Sequence, residues 1–263
     1  MPFATAAARS LAYEWVGVGV GVSGKPTLVF LHEGLGSIRQ WRDFPAKVAA
    51  ATGCRALIYD RYGYGQSDLL QEERRTVRFM HDEALRALPE LLRVLGVENP
   101  VLIGHSDGAS IALIYAGAGH AVRGVVAMAP HVFIEPVCLS SIAKAAHAFE
   151  STELAARLGR YHRDARKTFH GWADVWLDPQ FEGWDIREDY LPRIDCPVLA
   201  IQGYDDEYGT MAQLDEIKRR VKGRCELLKL KDCGHAPFRE QPEKTLQAIV
   251  QFVNEIGVRA QFK

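Results

Sequence analysis

Short apolar runs alternate with longer amphipathic stretches along most of this chain, from about residue 26 onward. The short runs are rich in Val, Ile and Leu, as buried strands are, whereas in the longer stretches apolar residues recur at the three- and four-residue steps of a helix. Such alternation is typical of an α/β fold, a mostly parallel sheet covered by helices on both faces. The predicted strands are residues 26–32, 55–60, 100–105, 122–128, 197–202 and 225–230. The predicted helices are residues 37–52, 79–96, 107–119, 211–222 and 240–256, and the region before residue 24 is predicted to form an antiparallel edge hairpin.

One long segment interrupts this alternation. From about His131 to Leu191 no strand is predicted, and aromatic residues are frequent, among them Trp172 and Trp176. A segment of this length cannot be structureless inside a compact domain, so we expect a mainly helical cap. The sequence thus predicts a core domain formed by residues 1–130 and 192–263, with the cap at residues 131–191.

The composition is that of an ordinary globular protein and narrows the possible partners. Of the 263 residues, 48% are hydrophobic and 25% are charged, and the formal net charge of -1 gives no general attraction to nucleic-acid phosphates. No run of 18 apolar residues offers a membrane span. The five cysteines are widely spaced and form no CxxC pair, which is typical of a reducing compartment. We therefore expect a cytoplasmic protein that acts on a small molecule, with no nucleic acid or membrane partner and an undetermined oligomeric state.

The motifs that would imply a cofactor or a metal are out of context or missing. Gly19, Gly21 and Gly24 spell GxGxxG, but the chain then enters a strand, whereas a dinucleotide-binding turn needs a helix N-terminus there to receive the pyrophosphate. The histidines show no HExxH or other metal-ligand spacing, and most are interpreted as surface or core residues. We expect neither a cofactor nor a catalytic metal.

The segment GHSDG at residues 104–108 stands between a predicted strand and a predicted helix. This is the context of a nucleophile elbow, a strained turn that exposes a serine hydroxyl above the sheet, with small residues on either side to avoid steric clash. Ser106 is therefore the candidate nucleophile. Its backbone neighbour Asp107 supplies an amide at a helix N-terminus, where a developing oxyanion is stabilised. A second amide is expected from the loop HEGLGS at residues 32–37.

A serine needs a base, and the base needs an acid that orients it. His235 follows the predicted strand at 225–230, and Asp206 follows the one at 197–202, so both lie where strand ends meet. Asp205 and Glu135 are the alternatives for the acid. Serine, acid and histidine occur in the order that a hydrolase of this architecture uses.

Five segments together resemble the α/β-hydrolase superfamily, and in particular its biphenyl-hydrolase-like and lactonase-like esterases. They are HEGLGS at 32–37, DRYGYGQS at 60–67, GHSDG at 104–108, GYDD at 203–206 and DCGH at 232–235. The resemblance implies an α/β-hydrolase fold, a triad of Ser106, Asp206 and His235, no cofactor, and an oxyanion hole formed by the amides of Gly34 and Asp107.

The chain departs from the family at Glu33, where a glycine usually follows the histidine. Leu35 is therefore an alternative to Gly34 as the oxyanion donor. Glu33 is interpreted as a solvated residue, as the partner of Arg39 or Arg61, or as a contact for a polar substrate.

Three further side chains are candidate substrate contacts. The Asp107 carboxylate faces either the helix dipole alone or a substrate ammonium group, which a poorly solvated site would favour. Trp172 and Trp176 share a helix face that either packs against the body or borders the substrate.

The sequence predicts a cofactor-independent serine hydrolase acting on a small carboxylic ester or lactone through an acyl-enzyme. Fold alone does not determine the substrate. An amide or C–C bond hydrolase with the same triad is one alternative, and a small-ligand receptor with little turnover is another.

Overall fold

The computed structural model describes residues 1–17, 25–72 and 74–259. Within them eight strands form one sheet in the order β1-β2-β4-β3-β5-β6-β7-β8. The first two strands form the predicted antiparallel hairpin, β2 pairs antiparallel with β4, and all later pairs are parallel. The strands are β1 (Phe3–Ala6), β2 (Arg9–Val16), β3 (Leu28–Leu31), β4 (Ala56–Tyr59), β5 (Val101–His105), β6 (Gly124–Met128), β7 (Val198–Gly203) and β8 (Cys225–Leu230). The glycine motif at residues 19–24 lies outside the described residues.

Both faces of the sheet are buried, which explains why the strands read as continuous apolar runs. Because successive side chains of a strand point to opposite faces, Val29 and Leu31 of β3 join one hydrophobic cluster and Leu28 and Phe30 join the other. Helices cover each face. The predicted α/β-hydrolase fold, with its mostly parallel and doubly covered sheet, is confirmed.

The helices lie where the periodicity placed them, but three predicted helices are interrupted. Their bounds are α1 (Phe44–Thr52), α2 (Phe79–Asp82), α3 (Leu88–Val94), α4 (Asp107–Gly117), α5 (Pro136–Ser151), α6 (Leu154–Leu158), α7 (Ala165–Trp176), α8 (Ala212–Arg220), α9 (Pro237–Glu240) and α10 (Pro242–Arg259). Proline explains each interruption, because it lacks the N–H that continues a helix and clashes with the preceding turn. Pro45 begins α1 after a separate 3-10 turn, Pro89 follows a π-helical turn at Glu83–Ala87, and Pro242 separates α10 from α9.

The chain between β6 and β7 is helical, as expected for the predicted cap. It contains α5, α6 and α7, and then two 3-10 turns at Pro179–Phe181 and Leu191–Arg193. An isolated bridge joins Phe133 to Asp185 near its two ends. The division of the chain at residues 131 and 191 stays a prediction.

Parallel strands end at one edge of the sheet, and this edge gathers the predicted functional residues. Glu33 follows β3, Ser106 follows β5, Asp206 follows β7 and His235 follows β8. The topology therefore brings together side chains that are far apart in sequence.

Candidate active site

Ser106 occupies a strained turn between β5 and α4. Its φ of 53° and ψ of -120° lie in a region that L-residues rarely adopt. The flanking glycines are needed for space: a Cβ on Gly104 would lie 2.3 Å from the carbonyl oxygen of Gly108, and a Cβ on Gly108 would lie 2.0 Å from that of Leu31. The turn thus has the features of a nucleophile elbow.

The three predicted triad residues lie within hydrogen-bonding distance of one another. His235 Nε2 is 2.9 Å from Ser106 Oγ, and His235 Nδ1 is 2.8 Å from Asp206 Oδ1. Asp206 is fully buried in its side chain and also accepts hydrogen bonds from the Tyr208 amide and from Gln202 Nε2. These bonds orient the carboxylate toward the imidazole.

Burial and charge have opposite effects on the two ionisable members of this set. Burial alone lowers the pKa of His235, but the hydrogen bond and the charge of Asp206 outweigh it and raise that pKa above its ordinary value. Burial alone raises the pKa of Asp206, but the hydrogen bond and the charge of His235 lower it overall. The pair therefore favours a carboxylate that stabilises an imidazolium, as acyl transfer requires.

The two alternative acids lie elsewhere. Glu135 accepts hydrogen bonds from the amide and hydroxyl of Thr210 and from Gln213 Nε2, at 2.6 to 2.9 Å. Asp205 is exposed, and its amide donates to the carbonyl of Cys233. Asp206 is the carboxylate that contacts His235.

The peptide between Glu33 and Gly34 is held from one side. Its carbonyl oxygen accepts hydrogen bonds from Arg61 Nη2 at 2.8 Å, from His32 Nδ1 at 2.7 Å and from the Gly36 amide at 3.0 Å. Because C=O and N–H point in opposite directions across a trans peptide, this anchoring directs the Gly34 amide the other way. Within the described ranges the amides of Gly34 and Asp107 donate to no protein acceptor, as oxyanion donors must.

The Asp107 carboxylate is buried and lies beside Arg61. Its side chain is 1% exposed, neither oxygen has a hydrogen-bond partner among the described residues, and Oδ2 is 4.0 Å from Arg61 Nη2. Burial raises the pKa of Asp107 to about 6, against the opposing charges of Arg61 and Arg75. The carboxylate therefore does more than face the helix dipole, yet it is screened from open space.

Glu33 does not pair with either predicted arginine. Its carboxylate lies 3.4 Å from His105 Nδ1 and 3.7 Å from Arg239 Nη2. Arg61 binds the backbone oxygen of Glu33 instead, and Arg39 donates to the carbonyl of Arg160. The expected Arg39 or Arg61 pair is thus wrong, because the loop turns the side chain toward the end of β5 and the residues after β8. Nor is Glu33 a solvated residue, since 18% of its side chain is exposed.

A cavity of about 420 Å³ opens onto Ser106 and His235. The predicted contacts Glu33, Asp107, Trp172 and Trp176 all border it. Its other lining residues are Gly34, Leu35, His131, Cys138, Ile142 and Tyr208. A larger surface cavity, near Arg9, Arg75 and Phe79, contains none of the triad residues.

His131 is the cavity residue that the sequence interpretation missed. It follows β6 at the same sheet edge as the triad, which is the signal that would have found it. Burial, together with the nearby His235, lowers the pKa of His131 to about 3. It therefore presents a neutral imidazole beside the base.

The comparison with known proteins identifies the family. The model of the Alpha/beta hydrolase family matches residues 28–248. The chain therefore belongs to the alpha/beta hydrolase family, a family of hydrolytic enzymes.

Among curated relatives, two span most of the chain. A proline iminopeptidase of Saccharolobus solfataricus is 26% identical over 272 aligned positions, covering 87% of this chain and 85% of the relative. The 3-oxoadipate enol-lactonase 1 of Acinetobacter baylyi is 27% identical over 256 positions, covering 90% of this chain and 91% of the relative. By name, one is a peptidase and the other a lactonase, so the relatives do not agree on the bond cleaved.

The solved enol-lactonase from Burkholderia xenovorans LB400 has the same fold. It superposes with a TM-score of 0.75 over 96% of this chain and 100% of that chain, at 19% identity. At this identity the likeness shows the fold alone. In the part of the chain that the structure describes, no helix has the length and apolarity to cross a bilayer. The same residues include no cluster of three or more His, Cys, Asp or Glu side chains suited to a metal ion.

Proposed function

We propose that the protein is a cofactor-independent serine hydrolase that cleaves a small carboxylic ester or lactone. The observation that carries this proposal is the continuous chain of contacts from Ser106 Oγ to His235 and on to Asp206, at 2.9 and 2.8 Å. A serine hydroxyl is a weak nucleophile at neutral pH, and an adjacent imidazole held by a carboxylate activates it.

The proposed reaction has two halves. Ser106 Oγ attacks the carbonyl carbon as His235 takes its proton, and the resulting oxyanion accepts hydrogen bonds from the amides of Gly34 and Asp107. The carbon–oxygen bond to the leaving alcohol then breaks as His235 returns the proton to that oxygen, which leaves an acyl-enzyme. Water attacks the acyl carbon with His235 as base, and the acid is released.

The cavity supports a compact and largely apolar substrate. Leu35, Ile142, Trp172 and Trp176 supply apolar walls, and its volume of about 420 Å³ is at the small end for ligand pockets. We propose that Trp172 and Trp176 contact the acyl group. Glu33 and Asp107 complete the proposed substrate-binding set at the polar end.

An amide substrate with a free amino group is the second candidate. The unpartnered Asp107 carboxylate lies next to the nucleophile, and a relative is named a peptidase. An ammonium group would complement this carboxylate once Trp176, whose indole nitrogen is also unpartnered, moved aside. A C–C bond hydrolase and a low-turnover receptor keep the same triad and are separated by turnover.

The five cysteines are buried and free. This supports a reducing compartment, and we propose that the protein acts in the cytoplasm.

Hydrolysis of a panel of p-nitrophenyl esters of increasing acyl length, with γ-lactones, tests the proposal. We expect turnover of the short esters and loss of nearly all of it in Ser106→Ala, whereas the matched Ser151→Ala variant, at an exposed serine of the cap, keeps the wild-type rate. Faster cleavage of amino-acid p-nitroanilides would select the second candidate. Tight binding of a small molecule with negligible turnover, or turnover that survives in Ser106→Ala, would overturn the proposal.

A further inference from the structure

The backbone of His235 is held at three successive peptide groups. The Gly234 and Ala236 amides donate to the two carboxylate oxygens of Glu240, at 2.6 and 2.9 Å. The carbonyl oxygen of His235 itself accepts a hydrogen bond from His105 Nε2 at 2.7 Å. The base therefore depends on a second histidine for the position of its own main chain.

His105 is the residue before the nucleophile and belongs to no part of the triad. Its side chain is 3% exposed, and its ring packs against the ring of Phe238, with centroids 5.2 Å apart. Nδ1 faces the Glu33 carboxylate at 3.4 Å while Nε2 faces the carbonyl of His235. Both partners are acceptors, so both ring nitrogens act as donors.

Glu33 is held in turn. Burial alone raises its pKa, but the hydrogen bond and charge of His105, with the charge of Arg239, lower the pKa of Glu33 far below the ordinary range. A Cβ on Gly36 would lie 2.4 Å from Glu33 Oε2, so the glycine leaves the room that the carboxylate occupies. Arg239 also donates to the Gln40 carbonyl at 2.8 Å. The carboxylate is thus fixed and ionised beside His105.

We propose that Glu33 and His105 form a second acid–imidazole pair whose task is to position the general base His235. Glu33 orients the His105 ring, and His105 holds the carbonyl of His235 while the His235 ring moves a proton between Ser106 and the leaving group. Both are positioning residues, since neither contacts Ser106 Oγ. This assigns a role to the glutamate that stands where the family usually has glycine, and it rests on the proposed function.

The physical reason is that proton transfer depends steeply on geometry. A displacement of about 1 Å costs on the order of 100-fold in rate. Asp206 determines the direction of the His235 ring but contacts only the ring, so the main chain needs its own restraint. Glu240 restrains the amide side and His105 restrains the carbonyl side.

The test compares two substitutions of His105 that differ in where a donor remains. The side-chain nitrogen of glutamine reaches about as far as Nε2 of histidine, whereas that of asparagine corresponds to Nδ1. The measurement is the second-order rate at which a fluorophosphonate labels Ser106, which needs no knowledge of the natural substrate. In this reaction Ser106 Oγ bonds to phosphorus, fluoride leaves, and His235 takes the serine proton.

We expect His105→Asn to label about 10- to 100-fold more slowly than wild type, and His105→Gln to label within about threefold of it. On the best ester, kcat is expected to fall while KM stays the same. Thermal unfolding of each variant shows whether it is folded. Wild-type labelling by a folded His105→Asn, or a folded His105→Gln as slow as His105→Asn, would overturn the proposal.

A second variant tests the glutamate through the titration of His235. The titratable groups around His235 are Glu33, His105, Asp107, His131, Asp206 and Glu207. Since the charge of Glu33 raises the pKa of His235, Glu33→Gln is expected to lower it, and Glu243→Gln, at an exposed site, is expected to leave it unchanged. NMR titration of the His235 ring measures this even in an inactive enzyme.

The two proposals fail in different ways. A wild-type protein that no fluorophosphonate labels would overturn the proposed function, and the NMR titration would still decide whether Glu33 acts on His235. An unchanged titration in Glu33→Gln, with labelling at the wild-type rate, would overturn the positioning role alone.

Discussion

Replacing Gly34 by alanine is predicted to disable the oxyanion loop through a clash with the cap. The added Cβ would lie 2.0 Å from Trp172 Nε1 and 2.5 Å from Trp172 Cδ1. Favourable contacts between such atoms need about 3.5 to 4.0 Å, so the loop or the indole must move by more than about 1 Å. The φ of Gly34 is not in the left-handed region, so the backbone itself accepts alanine and the indole is the obstacle.

The size of the effect follows from which part moves. If the loop moves, the Gly34 amide leaves the oxyanion position, and loss of one such donor lowers kcat by about 100- to 1,000-fold. Overpacking is also expected to lower the free energy of unfolding by about 1 to 3 kcal/mol. Steady-state kinetics on the best p-nitrophenyl ester and urea unfolding measure the two effects.

A double-mutant cycle with Trp172→Ala isolates the cause. Trp172→Ala removes the indole, so Gly34→Ala is expected to cost less than about tenfold in kcat in that background. An equal loss in both backgrounds would refute the clash with Trp172, and full activity of Gly34→Ala alone would refute the role of this loop.

Three further predictions concern charge. Asp206→Asn is expected to lower kcat by about 10,000-fold, because His235 loses the carboxylate that holds its tautomer; a loss under tenfold in ester kinetics would point to another acid. The kcat/KM of the wild type is expected to fall with decreasing pH through a pKa above 6.5, since protonated His235 cannot act as a base and its pKa is raised; a pH–rate profile that stays flat down to pH 5 would contradict this. The pKa of Asp107 is about 6 in the folded protein, above the ordinary 3.8, so its ionised form weakens folding above pH 6 and the penalty is absent below pH 4. Asp107→Asn is therefore expected to raise the free energy of unfolding by about 2 to 3 kcal/mol at pH 8 and not at pH 4, as urea unfolding would show, and to reduce hydrolysis of amino-acid esters more than that of neutral esters only if the carboxylate contacts an ammonium group.

The sequence predicted the fold well where neighbouring residues decide the structure. The strand at 100–105 is observed as Val101–His105 and the one at 225–230 as Cys225–Leu230, because an apolar run buried on both faces marks itself. Helix 37–52 was too long, since Pro45 and the left-handed turn at Arg42 divide it. Predicted helix ends failed mainly where a proline interrupts an otherwise helical pattern.

The elbow was predictable because its requirement is local. Ser106 and its two glycines stand side by side in the chain, and the steric need for Gly104 and Gly108 arises from backbone within a few ångströms. The order of Ser106, Asp206 and His235 could also be recognised, because each follows a strand of its own.

What the sequence determined by itself is the backbone plan, namely the strands, the turn that carries Ser106 and the loops that carry its partners. Which side chains meet was decided only by the tertiary structure. Glu33 contacts His105 and Arg239 rather than the arginines nearer in sequence, and the Asp107 carboxylate lies beside Arg61 in a site closed to solvent. The physical reason is that backbone conformation depends on adjacent residues, whereas the partner of a buried charge depends on which distant segments the core brings against it.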